Sequence, residues 1–145
     1  MIHDLTLTPL KIIDTNKGSV MRALRETDNS FLGFGEAYFS KVKFNTIKGW
    51  KRHKQMTLNI VVPSGEIKFV VHDNREKSIS FGEFYSVILS PSNYCRLTIP
   101  PNLWVAFKGL HEKESLLLNI ANIEHNSEEA DVLELNEIFF DWEKS

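Results

Sequence analysis

MTLNIVVPSGEIKFVVHD, residues 56–73, is two apolar alternations around a turn. Leu58, Ile60 and Val62 alternate with Thr57, Asn59 and Val61, the period of two expected of a strand with one face in a core. Pro63-Ser64-Gly65 turns the chain, and Ile67, Phe69 and Val71 then share a face, so the stretch predicts a hairpin-like pair of strands. The same rhythm continues outward. Residues 84–89 form a strand closed by Ser90-Pro91-Ser92-Asn93, and residues 96–99 form one ending in Pro100-Pro101-Asn102. Residues 104–107, 116–120 and 132–135 supply further strands. Residues 11–13, 20–24 and 37–44 supply earlier ones, around turns at Asn16-Lys17-Gly18 and Gly33 to Gly35. Helical periodicity is nearly absent, with room for one turn of helix in residues 128–135. Many short strands with regular turns predict an all-β sandwich or barrel, most simply a jelly roll.

A chain of 145 residues without linkers or repeats reads as one domain over residues 1–145, long enough to bury a core without metals or disulfides. Lys and Arg number 17 against 19 Asp and Glu, so no global basic field draws the protein to nucleic acid or to an anionic membrane. Lone Cys95 can form neither an internal disulfide nor a Cys-rich zinc site, and MIHDLTLTPL lacks the pattern of a secretory signal. Both point to the cytoplasm. No stretch approaches the roughly 18 apolar residues of a membrane helix.

The chemistry gathers in Lys48-Gly49-Trp50-Lys51-Arg52-His53-Lys54, followed by Gln55 to Asn59. Cations at a barrel mouth can hold a phosphorylated or nucleotide-linked substrate. His53 among them would have its pKa pushed downward, favouring a neutral base. The run also reads as a solvated loop whose lysines aid solubility, and both readings stand at this level. A second constellation, Ile99-Pro100-Pro101 through Trp104, offers an aromatic face for a sugar or base, or simply a core tryptophan. Metal-binding barrels place His-x-His before a later His. Here Gln55 follows His53 at that spacing and Val105 stands at the later position, so no metal and no cofactor is expected.

The order of segments resembles the dTDP-4-dehydrorhamnose 3,5-epimerase family over residues 10–142. Asp14-Thr15-Asn16-Lys17-Gly18 is similar to the family's Asp-x-Arg-Gly, and Ser40 stands at a Ser of its Gln-x-Asn-x-Ser strand, with Glu36 and Tyr38 for the Gln and Asn. Lys48-Gly49-Trp50 resembles the Arg-Gly-Leu before the catalytic His. Gly65-Glu66-Ile67, Val71-His72-Asp73-Asn74-Arg75 and Ser78-Ile79-Ser80-Phe81-Gly82 resemble Gly-Glu-Val, Val-Asp-x-Arg and Ser-Pro-Thr-Phe-Gly. Leu89-Ser90-Pro91-Ser92-Asn93, Ile99-Pro100-Pro101 and the terminal Phe140-Asp141-Trp142 continue the match. The register of the family's base gives Lys51, with His53 two residues on. The family's Lys falls near Leu58, its second His at Val105 and its Tyr acid at Leu118 or Ile123, and the acid behind the base falls near Asn136-Glu137.

The resemblance implies a cupin-type jelly roll, usually a homodimer, that epimerises or isomerises a dTDP- or UDP-linked 4-keto-6-deoxyhexose for deoxysugar or surface-polysaccharide synthesis. The alternative is a non-catalytic cupin that binds a sugar or nucleotide sugar. A 4-keto group acidifies its neighbouring C–H bonds, so the reaction needs a base, a cationic group near the enolate oxygen and a proton donor. On this reading His53 is the base, Lys51 or Lys54 stabilises the enolate, and Tyr38 donates the proton from the opposite face. Lys48 and Arg22 bind the diphosphate, Thr57, Asn59 and Glu36 line the sugar site, and Trp104 closes it.

Overall fold

The alternating stretch 56–73 forms two strands, and they lie in different sheets. The computed structural model describes residues 1–144. In chain order the strands are β1 (Thr6–Pro9), β2 (Ile12–Thr15), β3 (Gly18–Met21), β4 (Glu36–Val42), β5 (Ile47–His53), β6 (Leu58–Ser64), β7 (Ile67–His72), β8 (Phe84–Leu89), β9 (Cys95–Ile99), β10 (Trp104–Gly109), β11 (Ser115–Ala121) and β12 (Ala130–Val132). One sheet runs β1-β9-β6-β11-β4 and the other β12-β5-β10-β7-β8, while β2 and β3 form a separate hairpin. The fold is an all-β jelly roll, as the sequence predicts.

The expected pairing of β6 with β7 is corrected. β6 lies between β9 and β11, and β7 between β10 and β8. A simple hairpin would leave both apolar faces on one open side. Splitting the strands between sheets lets Leu58, Ile60 and Val62 join Ile67, Phe69 and Val71 in one buried core with Leu97, Ile99 and Leu117. Gly65 makes the crossing at φ 83°, and a Cβ there would lie 2.4 Å from Ser115 Oγ, so the turn is docked against β11. Ser115 Oγ accepts from Glu66 N–H at 3.0 Å.

Of the two readings left open for the basic run, the solvated loop is set aside: Lys54 follows residues 47–53, which form the strand β5. Its outward face supports a second cluster, in which Trp50, Val70, Trp104 and Ala106 pack beneath Leu133, Leu135, Ile138, Phe140 and Trp142 of the C-terminal segment. Trp50 Nε1 donates to the carbonyls of Leu135 and Ile138 at 3.3 and 3.1 Å, which ties that segment down. Where a strand over 132–135 was expected, β12 ends at Val132, with short 3-10 turns at Ser127–Glu129 and Leu135–Glu137. Among the described residues, no helix is long and apolar enough to cross a membrane.

The segment that most resembles the family motif, residues 71–82, closes on a buried carboxylate. Asp73 is fully buried and accepts from Arg75 Nε and Nη2 at 2.9 and 3.0 Å, and from the Ser78 and Ser80 hydroxyls at 2.6 Å each. Burial pushes its carboxyl upward, but the donors from Arg75, Ser78 and Ser80 outweigh it and hold the group well below its ordinary 3.8. The stabilisation is therefore complete above that ordinary value and is lost as pH falls toward the folded one. Urea midpoints of the wild type should fall between about pH 4 and pH 2, and more shallowly in Asp73→Asn. At neutral pH, Asp73→Ala should cost about 3 kcal/mol by taking the buried acceptor from Arg75, Ser78 and Ser80. Equal acid sensitivity in the wild type and Asp73→Asn would remove Asp73 from this role.

Candidate active site

Between the two sheets, toward β4 and β5, side chains leave a cavity of about 270 Å³. Leu58 and Ile60 of β6, Leu117 of β11, and Val105 and Phe107 of β10 give it apolar walls. Its polar groups are Tyr38 and Ser40 of β4, Lys48, Lys51 and His53 of β5, and Asn119 of β11. Lys51 and His53 share a face of β5 because they are two residues apart. Strict alternation would send Lys48 outward with Trp50 and Arg52. A bulge prevents this: Lys48 pairs with Phe107 and Lys51 with Val105, so three steps on β5 match two on β10. Lys48 Nζ then reaches Ser40 Oγ at 2.8 Å and lies 5.9 Å from the Phe107 ring centre.

His53 is buried, and its Nδ1 is hydrogen-bonded to Glu129 Oε1, 76 positions along the chain. The other Glu129 oxygen accepts from the backbone N–H groups of Lys54, Gln55 and Met56 at 3.2, 3.1 and 3.2 Å. Burial raises the Glu129 carboxyl, but the bonds from His53 and from the Gln55 and Met56 N–H groups outweigh it and hold the carboxyl below its ordinary value. An ionised Glu129 keeps a proton on Nδ1, so in the neutral ring the lone pair sits on Nε2, the nitrogen left for the cavity. The acid bonded to His53 is Glu129, not a residue of the Asn136-Glu137 region. Contact across 76 positions leaves no local trace in the sequence.

Tyr38 stands on the opposite sheet. Asn119 Oδ1 accepts from Asn59 N–H at 3.0 Å, which fixes its amide so that Nδ2 donates to the Tyr38 hydroxyl oxygen at 3.0 Å. With its oxygen accepting, Tyr38 keeps its own O–H hydrogen free to donate into the cavity.

The cavity thus unites Tyr38, Lys48, Lys51 and His53, and the other candidate residues lie elsewhere. Lys54 points outward to Asp131 Oδ1 at 3.6 Å. Trp104 lies on the outer face under Arg52, whose guanidinium carbon is 4.6 Å from the ring centre. Asn59 is on the face of β6 opposite Leu58 and Ile60, where it accepts from Thr98 Oγ1 at 2.7 Å and donates to the Ser30 carbonyl at 3.0 Å. Thr57 is buried, with its N–H on Asn122 Oδ1 at 2.7 Å. Glu36 accepts from His125 N–H at 2.8 Å. Arg22 lines a separate cavity of about 320 Å³ with Lys11, Arg25 and Arg96. Asn119 and Glu129 were missed by reading residues one segment at a time.

Residues 1–145 match the protein family described as dTDP-4-dehydrorhamnose 3,5-epimerase. A crystal structure of a dTDP sugar isomerase from Desulfovibrio desulfuricans G20 superposes with a TM-score of 0.94 at 35% identity, covering 99% of this chain and 94% of that one. A probable low-salt glycan biosynthesis epimerase of Haloferax volcanii, Agl13, is 26% identical over 132 residues, 90% of this chain and 85% of its own. The spore coat polysaccharide biosynthesis protein SpsL of Bacillus subtilis is 24% identical over 131 residues, 90% of this chain and 87% of its own.

Glu129→Ala removes the acceptor for His53 and for three backbone N–H groups, and should lower stability by about 3 kcal/mol in urea unfolding. Glu129→Gln keeps a carbonyl oxygen and should recover part of that loss. Unchanged midpoints in both variants would mean that these bonds are not formed in solution.

Proposed function

This chain belongs to the dTDP-4-dehydrorhamnose 3,5-epimerase family of sugar epimerases and isomerases, and we propose that it epimerises or isomerises a dTDP- or UDP-linked 4-keto-6-deoxyhexose by removing a proton next to the ketone. The observation that carries this reading is the buried His53–Glu129 pair, which opens onto the cavity across from Tyr38.

His53 Nε2 takes the C–H proton, and the bonding pair moves into the enolate, leaving charge on the former ketone oxygen. Glu129 steadies the imidazolium that forms. Lys51, on the same strand face as His53, places an ammonium near that oxygen, and Lys54 is released from this role by its outward direction. The Tyr38 O–H returns a proton to the carbon from the opposite wall, inverting it. The phenolate then regains a proton from solvent, and His53 releases its own. Lys48, at the edge of the strand, binds the diphosphate.

The polysaccharide and glycan roles of the related proteins support a place in surface-polysaccharide synthesis, and a lone free Cys95 fits a reducing cytoplasm. The separate β2–β3 hairpin, with Val20 exposed, supports the homodimer, which sedimentation would test.

Incubation with dTDP-4-keto-6-deoxyglucose and its UDP counterpart in deuterated water, followed by NMR, tests the chemistry. Deuterium should enter next to the ketone, and His53→Asn should slow entry by about 10²–10⁴-fold with little loss of binding. Tyr38→Phe should let deuterium wash in while inversion stops, because only the opposite-face donor is lost. Lys48→Ala should weaken nucleotide-sugar binding about tenfold, with reduced salt sensitivity. Saturable binding without exchange in the wild type would leave a sugar-binding barrel instead.

A further inference from the structure

The basic run at the end of β5 splits by alternation, and its outward half takes no part in the cavity. Lys51 and His53 face inward, while Arg52 and Lys54 face the acidic segment that delivers Glu129. Arg52 Nη2 and Nε donate to Asp131 Oδ2 at 2.8 and 3.3 Å. Its guanidinium lies on the Trp104 ring, whose buried Nε1 has no hydrogen-bond partner among the described residues, so the indole serves here through its face. Lys54 Nζ adds the Glu128 carbonyl at 3.4 Å.

Asp131 is the strand partner of Arg52, and Ala130 that of His53. Glu129 immediately precedes this register. A slip of one residue along β12 would carry its carboxylate about 3.3 Å from its place, beyond reach of Nδ1. β12 is only three residues long, with one backbone bond beyond each end, from Lys54 N–H to the Glu129 carbonyl at 2.7 Å and from Leu133 N–H to the Trp50 carbonyl at 3.0 Å, so its ladder is short. A charge pair at one fixed position adds to what so short a ladder specifies. Each partner of that pair is about one-third exposed (33% and 35%), so it adds little to global stability. Its consequence is local.

We infer that Arg52, Asp131 and Trp104 are positioning residues: they lock β12 in register on β5 so that Glu129 meets His53 Nδ1. The inference extends the reading of His53 as the base. The sequence pattern Lys51-Arg52-His53-Lys54 then serves two tasks, one on each face of a single strand.

The test compares wild type, Arg52→Gln, Asp131→Asn and the exchanged pair Arg52→Asp with Asp131→Arg, all as the full chain. Nitrogen-15 NMR of histidine-labelled protein in mildly alkaline buffer reads the two ring nitrogens of His53, assigned by their absence in His53→Asn. Wild type should show a protonated Nδ1 and a lone-pair Nε2. Each single variant should shift both signals toward the averaged values of a tautomer-exchanging ring, with a fall in Tm no larger than that of Glu129→Ala. Where the wild type turns over the keto sugar, each single variant should lower kcat about tenfold with KM within about twofold, and the exchanged pair should recover part of both effects. Ring nitrogens unmoved in both single variants would overturn the positioning role. Absence of turnover in the wild type would sink the catalytic reading alone, because the nitrogen signals test the positioning without any substrate.

Discussion

Two apolar sheet faces that can be buried only against each other set the terms for everything else in this molecule. β6 and β7 carry the strongest alternation in the chain, and neither can leave its inner face open to water. Their separation into opposite sheets follows from that, as does the turn at Gly65 pressed onto Ser115. Core side chains fill the space between the sheets over much of its length. Toward β4 and β5, polar and cationic residues replace apolar ones on the inner faces, and there the sandwich opens into a cavity.

Within that opening, the chemistry depends on how one charged strand distributes its side chains. β5 sends Lys51 and His53 inward and Trp50 and Arg52 outward, Lys54 just beyond it also points outward, and its bulge turns exposed Lys48 toward the cavity. A bulge of this kind redirects a side chain without changing the sequence around it. His53 is buried and Lys51 half-buried beside apolar walls, where a positioned charge acts more strongly than in water. The outward groups meet the acids of the C-terminal segment, which Trp50 fastens from beneath.

The cavity has an apolar side and a polar side. Leu58 and Val105 make the wall beside His53 apolar. The polar groups are Lys51, His53 and Tyr38, with Glu129 behind the histidine and Asn119 behind the tyrosine. Both supported groups follow one principle. A partner that occupies one side of the donor or acceptor fixes what the other side can do.

The sequence by itself determined the all-β class and the inward faces of β6 and β7, because period-two patterning and turn residues are local properties of the chain, and the order of its motifs resembles the family's. It also marked His53, Lys51, Lys48 and Tyr38 as residues of interest. Tertiary structure alone decided that β6 and β7 part company, since pairing depends on which faces remain to be covered. It decided that Asn59 and Trp104 look away from the cavity, because the side a strand shows is defined only relative to a neighbour. Glu129 was beyond local reading for the strongest reason. A carboxylate 76 positions from its histidine meets it only when β12 folds back along β5 and buries the two together.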